Sequence, residues 1–181
     1  MNESLESFCC DCAGMLNGMS KEETQKHTAD NSEQWSAQQL VEHLILTYRS
    51  SSGALEERLR KGRPTKAEVT PQQQVRRERL FVTEIFPEDT QAPERVRPGQ
   101  IDLSALSGVE LAELLQRELE SMDSLVERCH EAFGQQPMAS HWAFGPLSAD
   151  EWRKFHLLHG RHHLKQLARI VDDVRASWTA C

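Results

Sequence analysis

The stretch "FHLLHGRHHLKQL", Phe155 to Leu167, carries four of the chain's eight histidines: His156, His159, His162 and His163. Placed on a helical wheel at about 100° per residue, Trp152, His156, His159, His163, Leu167, Ile170 and Val174 share a sector of roughly 70–80°. His162 lies off the edge of that sector, on the side of Phe155. Three imidazoles therefore stand on a core-facing helix where leucines are expected.

Working outward, helix signals dominate the chain and strand signals are almost absent. A capping box pairs Ser or Thr at the N-cap with Glu or Gln three residues on, each side chain satisfying an orphan N–H of the other. It occurs as "SKEE" from Ser20, "SAQQ" from Ser36, "SGVE" from Ser107 and "SADE" from Ser148. The last three precede long periodic runs. A first helix is expected over about Glu3 to Leu16. A second runs from Ala37 to Leu59 or Arg60, with Leu40, Val41, Leu44, Ile45, Tyr48, Leu55 and Leu59 as its stripe. Gly62 and Pro64 stop it in the usual order. A third spans Gly108 to Phe133, and the fourth, with the histidines, runs from Ala149 to Trp178.

Between Pro64 and Leu106 lie five of the seven prolines. "TPQQQVRRERLFVTEIF" suits a short helix beginning at Pro71, and the remainder reads as irregular surface connection. A connection this long lets the helices on either side of it lie parallel. The expected fold is all-α, a four-helix bundle in a single domain over residues 1–181. One long crossover joins its second and third helices.

The 181 residues suffice for one core. No window approaches the roughly 18 apolar residues a membrane span needs. The N-terminus "MNESLESFCCDCAGML" is acidic where a signal peptide would be basic, so the expected location is cytoplasmic. With 28 acidic against 21 basic residues, the formal charge is −7. That balance disfavours nucleic acid, whose phosphates dominate affinity. The basic run "RLRKGRPTK" reads as a helix end. Five cysteines, Cys9, Cys10, Cys12, Cys129 and Cys181, read as reduced thiols, and "CCDC" as part of an amphipathic helix in preference to a metal site. Trp152 and Trp178 are expected as core or interface anchors of the fourth helix and Trp35 as a packing residue ahead of its N-cap. Cys129 is expected as a small buried side chain.

A single histidine on an apolar face is ordinarily a core residue with a hydrogen-bond partner. Two at i, i+4, as with His159 and His163, share one side of the helix. Each buried imidazole left unpartnered costs ~1–3 kcal/mol, and a divalent metal answers several at once by coordinating neutral imidazole. From the wheel alone both readings stay open. A third ligand would come from His27, His43, His130 or His141. His43 suits best, at the flank of the second helix's stripe, and His141, in the loop "ASHWAFGPLS", is a visitor to the same pocket.

"EQWSAQQLVEHL" resembles the N-terminal signature of the DinB/YfiT-like metalloprotein superfamily, and "HGRHHLKQL" its C-terminal His-x-x-x-His signature followed by Leu-x-Gln. "HWAFGPLSADEWRKFHLLHGRHHLKQL" is similar to an uncharacterised branch reading His-x-x-His-His-Leu-x-Gln, with Trp142 where that branch usually has proline. The resemblance implies a four-helix bundle whose divalent metal is held by His43, His159 and His163. His162, His156, His141 and Gln166 then become pocket or supporting groups.

Three neutral histidines leave a metal open to an exogenous ligand, the catalytic kind of site. Zinc and nickel are the leading metals. The resemblance implies a metal-dependent enzyme on a small molecule, either an S-transferase using a low-molecular-weight thiol or a hydrolase. No general base is identifiable, with Glu42 and His141 as the candidates. The alternatives are a non-catalytic metal-binding or stress-response bundle and a plain helical interaction module. Leu157, Leu158 and Leu164, off the main stripe, hint at a homodimer face.

Overall fold

The computed structural model describes residues 1–27, 34–86, 91–101 and 103–179, with side chains described to residue 176. The expected roles of Trp178 and Cys181 lie outside those side chains. The chain is mostly helical. In order come α1 (Glu3–Leu16), α2 (Lys21–Gln25), α3 (Ala37–Lys61) and α4 (Pro71–Arg77), the last running into a π-helical turn, Glu78–Val82. A 3₁₀ turn at Glu94–Val96 precedes α5 (Gly108–Phe133). A hairpin of β1 (Ala139–His141) and β2 (Gly145–Leu147) leads into α6 (Ala149–Thr179).

Each expected helix start is realised. Ser20, Ser36 and Ser107 form reciprocal capping boxes with Glu23, Gln39 and Glu110. Ser148 and Glu151 do the same at α6. A fifth box, Thr70 with Gln73, starts α4 and carries the same Thr-x-x-Gln signature. Gly62 ends α3 in the left-handed region at φ 62°, where the absence of a Cβ removes the steric penalty.

The four long helices α1, α3, α5 and α6 pack on one another around a single apolar cluster. The α6 sector read on the wheel is buried in full: Trp152, His156, His159, His163, Leu167, Ile170 and Val174. Leu158 is buried in the same cluster and Leu157 and Leu164 pack partly against it, so these leucines have partners within the chain. In α1, Cys9 and Cys12 face the core and Cys10 faces solvent, the amphipathic arrangement expected of "CCDC". Burial pushes the Cys9 thiol up to about 12 and the Cys12 thiol higher still. Neither is a ready thiolate.

Two polar clamps fix the helix ends. Asp123 of α5 accepts from the Asn2 backbone N–H at 2.8 Å and from Arg153 Nε of α6 at 2.7 Å, joining α1, α5 and α6. Arg77 donates to the Phe144 and Pro146 carbonyls at 3.2 and 2.8 Å and ion-pairs with Glu151, holding α4 to the hairpin and to α6.

The hairpin corrects the expectation that His141 sits in a loop. Its register pairs Ala139 with Leu147, Ser140 with Pro146 and His141 with Gly145. Three-residue strands are too short to show period-2 alternation in sequence. The 64–106 connection is likewise more than surface: Leu80 and Val96 are buried in it, and the Glu42 carboxylate accepts the N–H groups of Gly99 and Ile101 at 2.8 and 3.2 Å. Among the described residues no helix is long and apolar enough to cross a membrane.

Candidate metal centre

Helices α3 and α6 each present imidazoles inward, and three of them meet. His43 Nε2 lies 3.2 Å from His159 Nε2, and His163 Nε2 lies 3.0 Å from the same atom. The three rings are buried, and their ligand atoms lie within 4.8 Å of one another. The i, i+4 spacing of His159 and His163 brings their rings to a centroid distance of 4.5 Å, edge to face. His43 crosses from the facing helix to close the group.

The remaining nitrogens decide the tautomers. His43 Nδ1 is 2.7 Å from the Val96 carbonyl, which only accepts, so the proton is on Nδ1 and Nε2 keeps its lone pair. His163 Nδ1 donates to Gln166 Oε1 at 2.7 Å, with the same result. The Gln166 amide nitrogen in turn donates to His162 Nε2 at 3.3 Å, which sets the orientation of that amide. His159 Nδ1 is buried without a hydrogen-bond partner.

Burial, reinforced by neighbouring imidazoles, holds all three rings below the usual histidine range: His43 is lowered, His159 well below and His163 at about 3. They are neutral at physiological pH. A neutral His159 has one proton: on Nε2 it serves one of the two contacts and leaves the other lone pair without a bond, and on Nδ1 it leaves lone pair against lone pair at both. A divalent cation removes that conflict by accepting all three. Nitrogens ~2.0–2.1 Å from one ion at tetrahedral angles stand about 3.3 Å apart, close to the 3.0 and 3.2 Å of the two contacts at His159, while the outer pair, His43 and His163, lies within 4.8 Å. The donor set fits.

A cavity of about 1040 Å³ opens onto the three rings. Trp35 lines it with its ring centroid 4.9 Å from His43 and 6.5 Å from His163, so it walls the site instead of merely packing before the N-cap. Phe86, from the connection, lies 5.1 Å from both His159 and His162, and Phe155 stacks on His159 at 5.6 Å.

The other candidates part from the trio. His162 is half-buried on the cavity wall. His141 borders the cavity with its ring against Phe144, Trp152 and Phe155, and its Nδ1 accepts from Ala143 N–H at 3.2 Å. His156 is fully buried between Tyr48 and Trp152, and both of its nitrogens are unpartnered. Burial holds each of these two at about 3. His27 is exposed and His130 is away from the site. Glu42, named as a candidate base, is committed to the Gly99 and Ile101 amides. Cys129 is buried, with Sγ 3.6 Å from the Leu55 carbonyl.

Sequence reasoning missed Val96, whose contribution is a backbone carbonyl with no residue-type signature. It also missed Trp35 and Phe86 as walls. The Trp-Ser helix start placed Trp35 two turns from His43, and that spacing was the available signal for it.

No curated protein and no solved structure matches the chain. A family model described as the DinB superfamily matches residues 12–167, a span that contains all three convergent histidines, the whole of α3 and the part of α6 that carries His159 and His163. The chain belongs to the DinB superfamily.

Proposed function

We propose that the Nε2 atoms of His43, His159 and His163 hold one divalent metal ion, and that the protein is a metal-dependent enzyme acting on a small molecule. The observation that carries this reading is the meeting of three neutral, buried imidazole nitrogens at the floor of an open cavity. Zinc and nickel suit such a donor set. When bound, the ion supplies Lewis acidity that activates a thiol or water, the choice separating an S-transferase from a hydrolase.

The chain's own residues prepare that chemistry. The Val96 carbonyl and Gln166 each hold an Nδ1 proton, so His43 and His163 present lone pairs without rearrangement. Trp35, Phe86 and Phe155 form an apolar wall that restricts water near the rings. With Glu42 engaged elsewhere, proton removal falls to the substrate's own groups or to solvent. In this reading the four long helices form a four-helix bundle, crossed over by the 64–106 connection. The partners are a small-molecule substrate and neither nucleic acid nor membrane.

Metal analysis of protein purified without a histidine tag tests the first half. About one divalent ion per chain is expected, falling below a tenth in His159→Ala with helical content retained. A metal-free wild type that takes up neither zinc nor nickel sinks the proposal. A thiol-conjugation and ester-hydrolysis screen tests the second half. Turnover lost in His159→Ala supports an enzyme, and tight metal binding without turnover favours the non-catalytic bundle.

A further inference from the structure

Five arginines line the cavity, Arg76, Arg79, Arg95, Arg97 and Arg169, and no aspartate or glutamate does among the described residues. In a chain whose acidic residues outnumber its basic ones 28 to 21, the described lining of the site has the opposite sign from the whole. The five come from three separate segments. Arg76 and Arg79 are on α4 and its π-helical turn, Arg95 is on the 3₁₀ turn with Arg97 directly after it, and Arg169 is on α6.

Three of these have visible partners: Arg76 lies 5.8 Å from the Trp142 ring, Arg95 Nε reaches Ser50 Oγ at 3.3 Å, and Arg97 pairs with Glu94 at 3.0 Å. Arg79 and Arg169 form no ion pair among the described residues. Solvated arginines on an acidic protein are ordinarily interspersed with carboxylates, and among the described residues the one carboxylate paired with these five, that of Glu94, is not part of the cavity lining. Below the rim the wall is aromatic and the imidazoles are taken up by the metal in the reading above, so no formal negative charge in the described lining pairs with a cationic ligand.

We propose that the site takes an organic anion. The carboxylate or phosphate of such a substrate is held at the arginine rim, while its apolar body lies against the aromatic wall and its reacting end reaches the imidazoles. The proposal names the substrate class for the enzyme reading above and rests on it for catalysis, but not for binding. A guanidinium fork matches both carboxylate and phosphate oxygens, and a cationic mouth concentrates anions from solution in a salt-dependent way.

The test is calorimetric titration of benzoate, phenyl phosphate and the neutral benzyl alcohol into zinc-loaded and EDTA-treated full-length protein. At low salt both anions bind at least about tenfold tighter than the alcohol, and added salt narrows the gap. The double variant R79A/R169A loses about tenfold or more for the anions, with zinc content and alcohol affinity unchanged. The better-bound of the two anions identifies the headgroup. R79Q and R169Q singly, each expected to lose about threefold, serve if the double variant loses helical content.

Equal binding of anions and alcohol, no measurable anion binding, or anion affinity unchanged in the arginine variants overturns the proposal. In the last case the metal alone would be holding the anion. Arginine-dependent binding to EDTA-treated protein, joined with failure of the tag-free protein to hold metal, would uphold the anion site and sink only the metal reading.

Discussion

Gln166 reaches two imidazoles with one amide: its oxygen takes the His163 Nδ1 proton and its nitrogen donates to His162. Removing such a supporting partner typically costs 10–100-fold in metal affinity. Gln166→Leu should therefore weaken zinc binding by about that factor in competition with a chelator, without loss of helical content. Unchanged affinity would show that packing alone orients the His163 ring. His156 is a different kind of residue. Its two nitrogens, the Tyr48 hydroxyl and the Trp152 Nε1 are all buried without hydrogen-bond partners, and it stands outside the group of three whose ligand atoms meet. Its ring stacks on Trp152 at 6.0 Å and meets Tyr48 edge to face at 5.3 Å.

Two contacts make elements depend on each other. Gly108, the first residue of α5, donates to the Met19 carbonyl at 2.9 Å, and a Cβ there would stand 1.8 Å from the Leu16 carbonyl oxygen. Backbone at that distance cannot rotate away. Gly108→Ala should cost more than about 3 kcal/mol, in the range of severe overpacking. A chemical-denaturation midpoint near wild type would disprove so close an approach of the α1 end to α5. The second contact is Glu42, whose carboxylate ties Gly99 and Ile101 of the connection to α3. In Glu42→Ala both amides lose their acceptor, a loss of about 1–3 kcal/mol. The connection should then be cleaved faster by protease in limited digestion. Equal cleavage rates would mean that the Val96 and Leu80 anchors suffice.

Over the whole molecule, buried imidazoles make stability depend on pH. Burial, aided by Arg95, holds His141 at about 3, and burial, aided by His141, holds His156 at about 3. An unfolded histidine titrates near ~6.5. Between those values the unfolded chain binds more protons, so stability rises with pH through this window. It is complete above about pH 6.5 and is lost as the pH falls toward 3. Each group contributes up to about 1.4 kcal/mol per pH unit. The urea midpoint of EDTA-treated protein should drop from pH 7 to pH 5, and His156→Phe should flatten that fall by roughly one proton's worth. Parallel curves for wild type and variant would mean that His156 is protonated in the folded state.

The sequence by itself determined where helices begin and end, and that one of them turns imidazoles toward the core. Those signals are local. A capping box joins residues three apart, Gly62 stops α3 through its own backbone, and the stripe from Trp152 to Val174 repeats at helical spacing. Only the tertiary structure decided what the imidazoles face. The 3.2 Å approach of His43 to His159 spans 116 residues of chain, the His43 tautomer depends on a carbonyl 53 residues away, and the arginine rim gathers three segments that no periodicity links. Propensity and pattern act over a turn or two of helix. A site assembled across a core is settled by packing, which brings together groups whose positions along the chain are unrelated.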